Sequence, residues 1–239
     1  MINGDMHPNM AEYIEALEIS IDILGTDYTR EQLKNWILVN KYPWLVPKVW
    51  NPDTMQYEVY KDYDYTWHEL TSLSDGWWKA FGEMMCEEIQ AELERCDCVD
   101  EFQIIEVKEK FGQARIITNG TPVGCTVNRI IEKYSVLSEN ICCICGRPDV
   151  PMTYDGWWLP SCKDCFCRVS DYYRQKHTQE QINGVVKEKE KSWEQHNKED
   201  NKMRDGYTVI SWSKETGETK KTYDISETAN KIRKRYYGK

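Results

Sequence analysis

The sequence predicts a mixed α+β chain on three observations. Apolar residues recur at three- and four-residue spacing through much of the first hundred positions, alternating β-type runs flank turn residues near 110 and 216, and two short cysteine pairs lie near residue 150. The expected arrangement is a helix-rich N-terminal part, a β-hairpin plus helix leading into a cysteine module, and a small C-terminal hairpin with a terminal helix. With 239 residues, 40% of them hydrophobic and 12% aromatic, the chain can build one large domain or two smaller ones around a true core. Composition shifts divide it into 1–100, acidic, aromatic-rich and mainly helical; 101–185, hairpin, helix and cysteine module; 186–203, a charged linker or exposed helix; and 204–239, a small hairpin and basic helix.

Taken in order, Ile14, Leu17, Ile21 and Leu24 mark a first helix that Gly25 stops. A second opens at Thr29, whose hydroxyl can form a capping box with Gln32, and Leu33, Trp36 and Ile37 supply its apolar face until Pro43 and Pro47 end it. Residues 42–67 are rich in aromatics and proline and read as irregular or partly extended. A third helix, capped by Ser74 or Asp75, carries the stripe Trp78, Phe81, Met85, Ile89 and Leu93, with Glu83, Glu87 and Glu94 on its other face.

Beyond residue 100 the spacing changes to that of strands. Residues 102–107 and 114–118 form a hairpin with Gly112 in its turn, and a helix starting at Pro122 buries Val123, Val127, Ile130, Ile131 and Tyr134. Residues 172–181 extend the cysteine module as a helix, and the mixed-sign run 187–202 is an exposed helix or linker outside the core. Residues 207–212 and 219–223 make the second hairpin around 215–218. The last helix begins near Ser226 and ends in Lys231, Arg233, Lys234, Arg235, Tyr236 and Tyr237.

Cys142 with Cys145 and Cys162 with Cys165 are two Cys-x-x-Cys pairs separated by sixteen residues, the spacing of a structural zinc module. Each pair can wrap a tight turn with backbone N–H groups aimed at the sulfurs, and Gly146 is free to take the positive φ such a turn needs. One structural Zn2+ on four thiolates is the preferred reading. Cys143 or Cys167 replacing a neighbour, or iron in place of zinc, are the alternatives. Four protein ligands leave no open position, so the metal acts as a folding staple. Of the ten cysteines, Cys86, Cys96, Cys98 and Cys125 read as small apolar packing groups.

The net charge of −9 is unevenly spread. Residues 1–100 hold 7 basic and 20 acidic side chains, 101–203 hold 15 of each, and 204–239 hold 9 basic and 5 acidic, giving −13, 0 and +4. An acidic surface repels nucleic acid and attracts basic protein faces. The aromatic run Tyr57, Tyr60, Tyr63, Tyr65 and Trp67, interleaved with Asp62 and Asp64, either covers the domain or forms a protein-binding surface. Lys231, Arg233, Lys234 and Arg235 can contact nucleic acid or dock on an acidic protein surface, including the chain's own N-terminal half.

No His-Glu-x-x-His, phosphate-binding glycine loop, nucleophile elbow or dinucleotide fingerprint is present, so no catalytic residue is assigned and the reading leans away from an enzyme. His68 and the glutamates Glu83, Glu87 and Glu88 are read as packing or surface groups. No apolar run reaches the ~18 residues of a membrane span, and 1–10 lacks the basic-then-apolar pattern of a secretory leader. The expectation is a cytoplasmic chain with reduced thiols and no membrane contact.

Tyr42-Pro43-Trp44-Leu45, the stretch from Asp75 through Gly82 into Met85-Cys86-Glu87-Glu88, Lys108 through Gly112, and Cys142 through Cys165 with Gly156 and Trp157 between the pairs resemble a family of uncharacterised bacteriophage and prophage proteins with a C-terminal zinc ribbon. The resemblance spans about residues 10–170. It implies a phage origin, hence a host bacterial cytoplasm, and a zinc-ribbon end, and it brings no activity or catalytic residues. The function expected is a phage accessory protein that binds a host protein, foremost as an inhibitor of a defence system such as a CRISPR nuclease (an anti-CRISPR). The alternative is a zinc-ribbon nucleic-acid-binding protein of phage replication or transcription.

Overall fold

A computed structural model describes residues 30–198, 203, 206–213 and 217–238. The expected helix of Ile14, Leu17, Ile21 and Leu24 and the Thr29 cap lie outside these residues. The rest is a mixed α+β fold of helices and four antiparallel two-stranded hairpins. Helix α1 (Arg30–Lys41) buries Leu33, Ile37 and Leu38. Pro43 cannot continue it and opens a 3-10 turn, Pro43–Leu45, that sinks Trp44 and Leu45 into the core.

Residues 42–67 are more regular than their sequence implies. Strands β1 (Lys48–Asn51) and β2 (Gln56–Val59) pair from Lys48↔Val59 to Asn51↔Gln56. Both faces of this hairpin meet solvent, so the strands lack the apolar-in, polar-out alternation that marks a half-buried sheet. His68 then caps a second 3-10 turn, Glu69–Ser72, by accepting the Leu70 N–H on Nδ1 at 3.2 Å.

Helix α2 opens as Asp75–Trp77, passes through a π-helical turn at Trp78–Gly82 and continues as Glu83–Arg95. Ser74 precedes it without a side-chain cap bond. The buried ring at its start is Trp77, not Trp78 as the spacing predicts. Positions 77, 81, 85, 89 and 93 are four apart, a row that drifts by about 40° per step on a regular α-helix. The π-turn takes up one extra residue and brings Trp77 back over Phe81, Met85, Ile89 and Leu93.

Strands β3 (Gln103–Lys110) and β4 (Gln113–Asn119) form the expected hairpin, with a bulge after Ile104. Its two-residue turn, Phe111-Gly112, has φ of 53° and 76°, the double left-handed geometry whose twist suits a tight hairpin. Helix α3 (Val127–Ser138) starts five residues later than Pro122, and Val123 is fully exposed rather than buried. Pro122 instead holds a turn, its carbonyl accepting the Cys125 N–H. Val127, Ile131 and Tyr134 are buried and Ile130 partly so.

The core gathers Tyr42, Trp44, Trp77, Phe81, Phe102 and Tyr134 between α2, α3 and the β3–β4 hairpin. Trp44 meets Phe102 edge-on at 5.5 Å, and Phe81 stacks on Tyr134 at 5.2 Å. The cysteine module adds β5 (Met152–Tyr154), β6 (Trp158–Pro160) and the short α4 (Lys163–Phe166). Next come α5 (Asp171–Lys176) and α6 (Gln179–His196), which a capping box between Thr178 and Gln181 separates. A boundary at 185/186 therefore cuts through α6. Residues 187–196 of the charged run are the second half of that helix, which packs on the module: Trp193 Nε1 donates to the Ser161 carbonyl at 3.0 Å, and Lys163 pairs with Glu190 and Glu194. Strands β7 (Gly206–Ser213) and β8 (Gly217–Asp224) make the last hairpin and lead into α7 (Ser226–Tyr237).

Candidate metal centre

The sulfurs of Cys142, Cys145, Cys162 and Cys165 all lie within 4.8 Å of one another. A tetrahedral metal with metal–sulfur bonds of about 2.3 Å sets its ligands about 3.8 Å apart. Cys145 and Cys162 are 3.6 Å apart, so the donor set fits a metal ion. The first pair sits on a turn in which Gly146 N–H donates to the Cys142 carbonyl at 2.9 Å and Cys142 N–H to the Arg147 carbonyl at 2.8 Å. The second pair straddles the start of α4, where Phe166 N–H donates back to the Cys162 carbonyl. Val150 completes a small apolar shell around the four sulfurs.

This geometry favours negative charge on one sulfur, that of Cys142. The Cys142 thiol is pulled down to about 4, chiefly by the hydrogen bond from the Cys162 thiol, with backbone N–H groups of Cys162, Cys145 and Ile144 adding to it against the cost of burial. Its partner Cys162 is pushed up for the same reason, because it holds the shared proton, and burial pushes Cys165 up to about 12. A cation in the centre would replace those protons. Cys143 and Cys167 stand outside the cluster: Cys143 is buried, its thiol raised to about 12 by that burial, and Cys167 lies beyond α4.

The turn is anchored to the start of α2 by contacts that spacing does not reveal. Trp77 Nε1 donates to the Ile141 carbonyl at 2.9 Å, and Gly76 N–H to the Cys143 carbonyl at 2.9 Å. A Cβ on Gly76 would collide with the backbone of Cys142 and Cys143, and one on Gly146, at φ 82°, would lie 2.7 Å from the Gly76 carbonyl oxygen. Two backbones thus touch where both residues are glycine. The hairpin tip packs on the same module, with Trp157 Nε1 donating to Glu109 Oε2 at 2.6 Å. From the far side, the Tyr236 hydroxyl of α7 reaches the Cys145 sulfur, and Arg147 Nε donates to Tyr236 Oη at 3.4 Å.

The remaining candidates are scattered. Tyr63 and Tyr65 pack against the core, whereas Tyr57, Tyr60 and Trp67 are exposed, as are Asp62 and Asp64. Their rings pair locally: Trp50 with Tyr57 at 5.1 Å, Tyr60 with Trp67 at 6.3 Å, Tyr63 with Tyr65 at 4.8 Å. The basic tail is largely engaged within the chain. Arg233 makes a forked pair to Asp149 at 2.9 and 2.8 Å, Arg235 faces Glu83 at 3.5 Å and Lys231 pairs with Glu227, while Lys234 is exposed. Glu83 and Glu87 face Lys41, Glu88 holds Lys133 and Tyr134, and His68 is buried as a cap, so each serves packing or pairing. No helix among the described residues is long and apolar enough to cross a membrane. No protein-family model matches the chain, and the comparisons with curated proteins and solved structures found no match.

Proposed function

We propose that the chain is a phage accessory protein that works by binding a host protein, with one structural Zn2+ on Cys142, Cys145, Cys162 and Cys165. The observation that carries this reading is the fate of the tail. Its forked Arg233–Asp149 pair and the Arg235–Glu83 contact spend basic groups on the chain's own acidic body, so the positive footprint a nucleic-acid binder needs is reduced. Exposed aromatic rings at Trp50, Tyr57, Tyr60 and Trp67 lie in a segment with Asp53, Glu58, Asp62 and Asp64. Such a surface complements a basic face, and a host defence nuclease of the CRISPR type, which must itself hold nucleic acid, presents one.

The test uses purified protein. A one-to-one complex with a defence nuclease, surviving nuclease digestion and lost when Tyr60 and Trp67 become alanine, supports the reading. Tight binding of random DNA or RNA at low salt, falling steeply as salt rises, favours the zinc-ribbon nucleic-acid binder instead. Metal analysis should find about one zinc per chain. Cys142→Ser or Cys165→Ser should lose it and unfold the module, and a stably folded metal-free chain would sink the assignment.

A further inference from the structure

A second group of thiols gathers where α2 ends and α3 begins. One carboxylate oxygen of Glu92 and the sulfurs of Cys96 and Cys125 lie within 4.8 Å of one another, and the Cys98 thiol is in hydrogen-bonding reach of both sulfurs. Cys98 is buried in the core, and packing accounts for it. Cys96 and Cys125 are both half-buried and side by side at the surface of that core, which packing does not require.

The backbones that carry these two thiols are clamped together with no covalent bond between the sulfurs. Glu92 Oε1 accepts the Thr126 N–H at 2.5 Å and its hydroxyl at 2.7 Å. Arg95 Nη2 donates to the Gly124 carbonyl at 3.3 Å and to the Cys96 sulfur at 3.2 Å. Two thiols held in this way meet at high effective concentration, so joining them loses little further chain freedom.

A metal ion fits this place poorly. The Glu92 carboxylate is already taken up by two Arg95 nitrogens and by Thr126, and the guanidinium on the Cys96 sulfur opposes a second cation there. A disulfide needs neither a free carboxylate nor lasting negative charge.

We propose that Cys96 and Cys125 form a reversible disulfide, a thiol-redox site separate from the four-cysteine centre, with a low-molecular-weight disulfide such as oxidised glutathione as oxidant. Cys125 loses its proton and attacks one glutathione sulfur; that S–S bond breaks, and the departing glutathione thiolate takes up a proton. Cys96, deprotonated in turn, attacks the Cys125 sulfur of the mixed disulfide, and the second glutathione leaves as thiol. Two protein thiols are oxidised and one glutathione disulfide is reduced to two glutathione molecules. The new bond ties the foot of the β3–β4 hairpin, and Cys98 stays a thiol beside it, positioned for exchange.

The test equilibrates the full-length, zinc-supplemented protein in glutathione buffers from fully reduced to fully oxidised. Free thiols are then blocked with N-ethylmaleimide and linked peptides are mapped by fragment mass spectra. The expected result is a Cys96–Cys125 link in oxidised buffer, Cys98 alkylated, and return of both thiols when reduced glutathione is in excess. Alkylation of both Cys96 and Cys125 in the most oxidising buffer would overturn the proposal, as would a link through Cys98 or one found only after denaturation. The wild-type map decides the matter, so nothing depends on how a cysteine variant folds.

Discussion

Tyr42 places its ring in the core, 1% exposed, while its hydroxyl has no hydrogen-bond partner among the described residues. A buried, unpaired hydroxyl costs on the order of 1–3 kcal/mol, and removing it leaves the ring packing against Trp44 intact. Tyr42→Phe should therefore be neutral or raise stability by about 1 kcal/mol in a denaturant titration; a loss of that size would mean the hydroxyl is satisfied. His68 is the opposite case, a polar group that burial keeps neutral. Desolvation lowers its folded value to about 4 from the ordinary 6.5. As pH falls the unfolded chain takes up this proton first, so stability is complete above pH 6.5, declines through the window down to about 4 and is flat below it. The difference corresponds to about 3 kcal/mol at most, and protonating Nδ1 would also cost the bond from Leu70 N–H. His68→Asn keeps a short acceptor without the titration. Its unfolding free energy should differ less between pH 5 and 7.5 than that of the wild type, and an equal pH dependence would exclude His68 as the cause.

At the level of elements, the anchoring of the cysteine turn on α2 rests on the close approach of Gly76 and Gly146. Gly76→Ala puts a methyl group into the backbone of Cys142 and Cys143, and the helix propensity gained is only about 1 kcal/mol. Overpacking against rigid backbone costs about 1–3 kcal/mol or more. The expected outcome is a lower melting temperature with the four-cysteine cluster kept, because the four sulfurs belong to the turns and not to α2; an unchanged melting temperature would mean the two backbones separate freely. The clustering of the four cysteines was legible in the sequence because a Cys-x-x-Cys turn is a local object whose spacing carries its geometry. The hairpins of β3–β4 and β7–β8 and the stripe of α2 were legible for the same reason, through periodicity. Strands β1 and β2 were not, since both of their faces are exposed and alternation has nothing to report. The exchange of Trp78 for Trp77 followed from a π-turn, a register change that fixed helical spacing does not anticipate. Val123 lies ahead of a helix that begins four residues later, where the Thr126 N–H donates to Glu92 across 34 positions of sequence. Helix α6 has a charged composition that suits solvent, and Trp193 and Ile182 mark the side that touches the chain.

Over the described residues, the basic C-terminal helix meets acidic groups of the body of the fold. Helix α7 buries Ala229 and Ile232 completely, and its basic residues run along acids from the body of the fold: Arg233 on Asp149, Arg235 on Glu83. These contacts differ in strength for a physical reason. The Arg235–Glu83 pair is 3.5 Å long with the arginine 45% exposed, so water and salt screen it and its contribution is small. Arg233 and Asp149 are each about a quarter exposed and joined by two short charge-assisted bonds, while Asp149 also accepts the Met203 N–H at 2.8 Å. Removing such an acceptor costs about 1.5–3 kcal/mol, equivalent to roughly a tenfold to hundredfold rise in local opening if the loss is confined to α7. Asp149→Ala should accordingly speed tryptic cleavage at Lys231, Arg233, Lys234 and Arg235 by about that factor, while Glu83→Gln should change it little. Because the freed tail would then expose more positive charge, Asp149→Ala should also show a higher salt-sensitive affinity for single-stranded nucleic acid than the wild type. Equal cleavage rates in the two variants and the wild type would show that Ile232 and Ala229 alone hold the helix, and that the charge meeting is incidental to the fold.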